Sequence, residues 1–172
     1  MNLVKSFSPI AHESSKTLIL GSMPGQISLL AGQYYAHPRN SFWPIIAGIY
    51  GFSAESPYEV KIQNVISHGI AIWDVLQSCE RHGSLDSDIV NGTRVPNDFG
   101  LFFKQHPHIK RICFNGAEAE NSFRRFVSMS LDLKNFRLVR LPSTSPANTQ
   151  AFEQKKTVWA TALNNQTFYY TK

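Results

Sequence analysis

Charge, cysteine and long apolar runs are all scarce in this chain of 172 residues. Only 17% of the residues are Asp, Glu, Lys or Arg, against 42% apolar, which excludes a disordered polyelectrolyte and indicates a buried core. Cys79 and Cys113 are the only cysteines, too few for a four-cysteine zinc or iron–sulfur site. They read as small core residues in a reducing compartment. No stretch reaches the roughly eighteen apolar residues that a membrane span needs, and the N-terminal segment MNLVKSFSPIAHESSK carries charge, so neither a span nor a signal peptide is expected. A cytoplasmic location follows as the expectation. Several catalytic patterns are missing as well. GSMPG at 21–25 lacks the spacing and the lysine of a Walker loop, and no G-x-S-x-G elbow or triad order occurs. His12, His68, His82, His106 and His108 do not converge on a metal pattern, so neither metal nor cofactor is expected. Without internal repeats, low-complexity tracts or a linker, residues 1–172 read as one domain.

What is present begins with a moderate positive excess, formal net charge +5 and pI ≈ 9.3, which suits a polyanionic partner without demanding one. Short apolar runs bounded by turn residues alternate with helical patterns. Strands are expected at 17–21, 69–76, 110–116 and 136–141. Helices are expected from Ser41 to about Gly51 and over 55–68, 96–105, 117–130 and 149–164. The 55–68 helix would bury Tyr58, Val60, Ile62, Val65 and Ile66; the last would turn Phe152, Val158, Trp159 and Leu163 inward. Residues 1–16 form a lead-in that can dock through Phe7, Pro9 and Ile10, and Gly83 to Asn97 is expected to be the mobile loop. This alternation predicts a three-layer α/β/α domain with a central, mainly four-stranded parallel sheet.

In such a sheet Gly21, Asp74, Asn115–Gly116 and Ser143 share the carboxyl edge, where ligands collect. The turn Gly21-Ser22-Met23-Pro24-Gly25 and the loop Ser143-Thr144-Ser145-Pro146-Ala147-Asn148 are built alike, from small hydroxyl residues, proline and exposed amides. Together they suit a phosphate, although Ser143, Ser145 and Pro146 equally suit the cap of the last helix. The dense segment Tyr34-Tyr35-Ala36-His37-Pro38-Arg39-Asn40 has more aromatic and hydrogen-bonding groups than a plain connection needs. Tyr34 and Tyr35 suit stacking on a flat ligand, or the core. His37 suits proton transfer, or a brace for the His-Pro turn; Arg39 a phosphate, or solvent. Asn40 suits an N-cap as well as a site, and Asp74 suits a ligand edge or a turn cap.

GSMPG at 21–25, YYAHPRNSFW at 34–43 and LPSTSPAN at 141–148 together resemble the uracil-DNA glycosylase superfamily, and within it most closely the hypoxanthine-DNA (deoxyinosine) glycosylase branch. The resemblance covers essentially the whole chain. It implies a compact α/β/α enzyme of base excision repair that hydrolyses the N-glycosidic bond of a deaminated base, hypoxanthine or uracil, and leaves an abasic site without metal or cofactor. The partner would be DNA carrying deaminated or mismatched bases, and the enzyme a monomer. In the superfamily the first motif often supplies an Asp, Asn or Glu that positions water; here that place falls to Ser22. In the hypoxanthine branch the Asn of the HPxN string takes over, which is Asn40. The second motif lacks the leading histidine of the uracil enzymes and reads Ser143-Thr144-Ser145.

On this resemblance Asn40 and Ser22 are the catalytic candidates. Tyr35, or alternatively Tyr34, stacks on the flipped base, with Met23, Pro24, Gly25 and Asp74 around it. Ser143, Ser145, His37 and Arg39 contact phosphates, and Asn148 or a neighbour enters the gap in the duplex. Two other classes compete: a nucleic-acid binder of the same fold without chemistry, and a hydrolase of free nucleosides or nucleotides.

Overall fold

Leu18, Ile19, Leu20, Ala71, Ile72, Ile112, Cys113 and Phe114 have no exposed surface at all. Segments apolar at every position can be sheltered only between two covering layers, and this forces a parallel sheet faced by helices on both sides. The computed structural model describes residues 3–164. In chain order the elements are β1 (Leu3–Lys5), β2 (Thr17–Gly21), α1 (Gln26–Ala31), α2 (Phe42–Tyr50), α3 (Tyr58–Ser67), β3 (Ile70–Asp74), β4 (Leu76–Glu80), β5 (Val95–Pro96), α4 (Phe99–Gln105), β6 (Arg111–Asn115), α5 (Ala117–Phe126), β7 (Arg137–Leu141) and α6 (Phe152–Asn164). The main sheet has the order β3-β2-β6-β7, with every pairing parallel.

Its register fixes the site. Gly21 stands opposite Asp74, Leu20 opposite Phe114, and Asn115 opposite Leu141, so four carboxyl ends share one rim. The chain leaves β2 toward β3 and leaves β6 toward β7, in opposite directions. A crevice therefore opens between the loops that follow β2 and β6, at the switch point where α/β sheets take ligands. One helical layer holds α2, α3 and α6, joined edge-to-face by Phe42 and Trp159 and by Trp43 and Tyr58, each pair at 5.9 Å between centroids. The other holds α4 and α5, where Phe123 meets both Phe99 and Phe114. Truncating a fully buried ring such as Trp159 to alanine costs about 3–5 kcal/mol, a large part of a domain's stability.

Several elements differ from the sequence expectation. The apolar run at 69–76 is not one strand. Val75 and Leu76 donate their N–H groups to the Gly21 and Ser22 carbonyls, so the chain crosses the end of β2. It continues as β4 in a second, antiparallel sheet of order β1-β4-β5. The lead-in supplies β1, and Ile10 makes an antiparallel bridge to Ile72 that covers the edge of β3. Gln26–Ala31, for which the sequence suggested no element, form the short helix α1.

In α6 the inward stripe is Lys155, Trp159, Ala162 and Leu163, at i, i+4, i+7 and i+8. Phe152, on the same face but in the first turn, and Val158, off the stripe, are 39% and 42% exposed, and Val60 of α3 is 39% exposed. The stretch from Gly83 to Asn97 is tied down rather than loose. It carries a 3₁₀ turn, Asp86–Asp88, and β5, and Val90 donates to the Glu80 carbonyl. Cys79 and Cys113 are free and fully buried, and burial pushes the Cys113 thiol up to about 12. Among the described residues no helix is long and apolar enough to cross a membrane.

Candidate active site

The floor of the crevice is Gly21. A Cβ there would stand 2.4 Å from Asp74 Oδ1 and 3.2 Å from the Tyr35 hydroxyl, so only glycine leaves room for these two polar groups. The turn that follows is held from beneath by Arg81, which is 2% exposed and donates Nη2 to the Pro24 carbonyl. Ser22 Oγ reaches outward and donates to Asp86 Oδ1 at 2.6 Å.

The segment between α1 and α2 divides its aromatic residues between two jobs. Tyr34 is core: 3% exposed, its hydroxyl donates to the Ser8 carbonyl at 3.1 Å, and its own carbonyl accepts from Trp43 Nε1. Its ring is packed against Phe7 and Tyr35, which leaves little of it open for stacking on a ligand. Tyr35 is different. It adopts φ +57°, a strained conformation for a bulky residue, and its ring lies on Phe42 at 3.8 Å with 22° between planes. Phe42 occupies one face of the ring, and the Tyr35 hydroxyl is buried without a well-formed hydrogen bond.

Beyond it the His37 Nδ1 accepts the Arg39 N–H at 3.0 Å, so in the neutral ring the proton sits on Nε2. Asn40 Oδ1 accepts the Phe42 N–H at 2.9 Å. The helix α2 is thus capped by Asn40, while Ser41 makes no side-chain cap bond. A backbone donor fixes which end of the amide is oxygen. That oxygen keeps a second lone pair for a further donor.

The loop after β7 is fastened to both neighbours. Thr144 exchanges two hydrogen bonds with the side chain of Asn115, and its carbonyl accepts the Ser41 N–H at 2.9 Å. Ser143 Oγ accepts from Ser145 N, and Ser145 Oγ from Ala147 N, so both hydroxyls shape the turn yet retain their protons for donation. Asn148 is pinned twice: Nδ2 donates to the Ser143 carbonyl and Oδ1 accepts from Gln150 N. The exposed tip of the loop is Pro146 and Ala147, with Asn148 half-buried behind it. Behind the loop, the buried Lys155 donates Nζ to the Asn148 carbonyl, and desolvation lowers its pKa.

These segments enclose one cleft of about 690 Å³, within the roughly 300–1,000 Å³ of small-molecule sites. It is lined by Ser22, Met23, Pro24, Gly25, Tyr34, Tyr35, His37, Asn40, Asp74, Ser143, Ser145 and Asn148 among others, so these sequence candidates lie together. Arg39 is exposed and does not line it. The sequence reading placed Asn115 at the rim and Thr144 in the serine loop without giving either a role, and it missed Arg81 and Asp86. Asn115 and Thr144 hold the walls together, Arg81 props the floor, and Asp86 faces the cavity from the loop expected to move. Asn115 was legible as a strand-end residue; nothing in GSLDSD marked Asp86.

The electrostatics are unusual for so small a space. Burial, reinforced by the Asp86 charge and opposed by Arg81, pushes the Asp74 carboxyl up to about 8. Burial also raises Asp86, against the Ser22 hydrogen bond. The Tyr35 hydroxyl is raised by burial and then by Asp74, so it stays protonated. Among the described residues no group of three or more His, Cys, Asp or Glu is placed to hold a metal ion.

Comparison with known proteins places the chain. The model of the Uracil DNA glycosylase superfamily matches residues 9–166. A hypoxanthine DNA glycosylase of Methanosarcina barkeri is 31% identical over 160 residues, covering 92% of this chain and 97% of the relative. A second, from Methanosarcina acetivorans, is 32% identical over 156 residues, covering 90% and 94%. The solution NMR structure of a Methanosarcina acetivorans protein assigned as a uracil DNA glycosylase superposes with a TM-score of 0.78 at 29% identity, covering 94% of this chain and 97% of that one.

Proposed function

The chain belongs to the Uracil DNA glycosylase superfamily, and we propose that it excises deaminated bases, hypoxanthine foremost and uracil second, from DNA. It is a monofunctional glycosylase of base excision repair that breaks the N-glycosidic bond and leaves an abasic site. The observation that carries this reading is a single cleft formed by all three motif segments, in a chain matched almost end to end by two hypoxanthine DNA glycosylases.

The substrate is unreachable inside a duplex, so the damaged nucleotide must be everted, and a weakly paired lesion is the cheapest to extract. The base enters between the Gly21–Gly25 turn and Tyr35, whose Phe42-backed ring is held rigid for stacking. As the bond from C1′ to nitrogen breaks, its electron pair leaves with the base and positive charge grows on the sugar. The Asn40 oxygen uses its second lone pair to orient water toward that carbon. Water delivers its oxygen to C1′ and a proton to the base, so the products are an abasic sugar and a neutral base. Backbone N–H groups of the first turn face the charge developing on the base. Ser143, Ser145 and the His37 Nε2–H hold flanking phosphates, Arg39 extends that contact outside the cleft, and Pro146–Ala147 fills the vacated space. The protein acts as a monomer inside the cell, its net charge of +5 favouring the polyanion.

The test is a panel of duplexes, each bearing one deoxyinosine, deoxyuridine, deoxyxanthosine or mispaired thymidine, incubated with enzyme and then treated with alkali. Strand breaks at deoxyinosine that appear only after alkali are expected. A protein that binds these duplexes without making alkali-labile sites is a binder, and one that cleaves only free deoxyinosine is a nucleoside hydrolase.

A further inference from the structure

Two carboxyls share the cleft with one buried cation. Asp74 is 3% exposed, and its Oδ2 is enclosed without a hydrogen-bond partner. Asp86 accepts the Ser22 hydroxyl proton through Oδ1. Arg81, 2% exposed, spends Nη2 on the Pro24 carbonyl and leaves Nε and Nη1 without partners. With Asp86 half-buried and charged, a second anion on the enclosed Asp74 would be uncompensated, so the group of three is neutral only when one carboxyl keeps its proton.

The surroundings decide which. Asp86 receives a hydroxyl donor and feels Arg81 and Arg94, with Glu118 opposed, so its charged form is the better supported. Asp74 receives no donor on Oδ2 and faces the Asp86 charge, with Arg81 as the opposing cation and the hydroxyls of Tyr34, Tyr35 and Tyr58 around it. The proton belongs on Asp74. Paired carboxyls driven apart in this way take different roles.

Building on the glycosylase reading above, we propose that Asp74 meets the everted base as a neutral carboxylic acid, donating a hydrogen bond to the carbonyl that deamination creates, and that Asp86 is the positioning residue that keeps the proton there. Deamination turns an exocyclic amine, a donor, into a carbonyl, an acceptor: O6 in hypoxanthine and O4 in uracil. A carboxylic acid aimed at that edge rewards the damaged base and leaves the parent amine facing another donor. The same bond strengthens as the base accumulates the electron pair of the breaking bond. An ionised Asp74 would repel that charge. The proton remains in the hydrogen bond, so the step needs no other reactant.

The experiment is single-turnover cleavage of deoxyinosine and deoxyuridine duplexes between pH 5 and 10 by the wild type, Asp74→Asn and Asp86→Asn, each checked by thermal melting. Wild-type rate should fall about tenfold per pH unit above a point near 8, as Asp74 ionises. Asp86→Asn removes the like charge, so Asp74 ionises earlier and the alkaline fall should begin at lower pH. Asp74→Asn should be slower, but its amide donates at every pH and the fall should disappear. Substrate ionisation is the same for all three proteins and cannot produce these differences. A wild-type fall that persists in Asp74→Asn, or that Asp86→Asn leaves in place, overturns the proposal. A folded wild type that makes no abasic sites at any pH overturns the glycosylase reading beneath it.

Discussion

Asn115 grips Thr144 from two sides: its Nδ2 donates to Thr144 Oγ1 at 2.8 Å, and its Oδ1 accepts the Thr144 N–H at 2.9 Å. Because the Thr144 carbonyl also accepts the Ser41 N–H, one residue joins the end of β6, the serine loop and the start of α2. Thr144→Val keeps the shape and removes the hydroxyl, leaving a largely enclosed amide donor unsatisfied. The expected cost is about 1–3 kcal/mol of stability. Cleavage should fall more than the melting temperature explains, with a rise in the dissociation constant for a duplex holding an abasic-site analogue. Unchanged DNA affinity in a destabilised variant would show that the clamp does not set the loop.

Asn40 both caps α2 and faces the cleft, and two substitutions separate these roles. Asn40→Ala removes the cap, at about 1 kcal/mol, and should slow deoxyinosine cleavage by about 100-fold or more. Asn40→Ser restores a capping oxygen on a shorter stem. Its melting temperature should return close to wild type while the rate stays low. Full activity in Asn40→Ala ends the proposal that its oxygen orients water.

At Gly21 a methyl group would sit 2.4 Å from Asp74 Oδ1, far inside van der Waals contact. Gly21→Ala should therefore lower the melting temperature and abolish cleavage. Removing the obstructed partner as well, in Gly21→Ala with Asp74→Ala, should recover stability but not activity. Failure of the double variant to recover would place the clash elsewhere.

Asp74 also makes stability depend on pH. Its folded pKa of about 8 lies above the ordinary carboxylate value, so over the interval between them the native state holds a proton that the unfolded chain has released. The contribution is complete below about 4 and is lost as the pH rises through 8. Asp74→Asn has no such dependence. The difference in melting temperature, variant minus wild type, should grow steadily between pH 4 and pH 8; a constant difference would mean that Asp74 is ionised in the native protein.

Much of this arrangement was legible in the sequence, for identifiable reasons. Leu18-Ile19-Leu20 and Ile112-Cys113-Phe114 are short, apolar at every position and closed by glycine or Asn-Gly, which is how strands covered on both faces read. Their parallel pairing then puts Gly21, Asp74 and Asn115 on one rim. Local pattern failed where a long-range bond decides. Between Trp73 and Leu76 only Asp74 interrupts the apolar run, and no glycine or proline marks a turn there; the Gly21 and Ser22 carbonyls turn it. Lys155 on the inward stripe of α6 is concealed by its own charge, since its partner is a carbonyl seven residues earlier. Asp86 reaches the cleft through a hydrogen bond to a residue 64 positions away, a separation no periodicity can register.

Both native thiols are sealed inside the protein, one on β4 and one on β6. A cysteine introduced at Ala147, exposed at the tip of the serine loop, would therefore be the only thiol a maleimide dye can reach. A fluorophore attached there would report engagement with a duplex in real time, without first stripping the native sequence of its own cysteines.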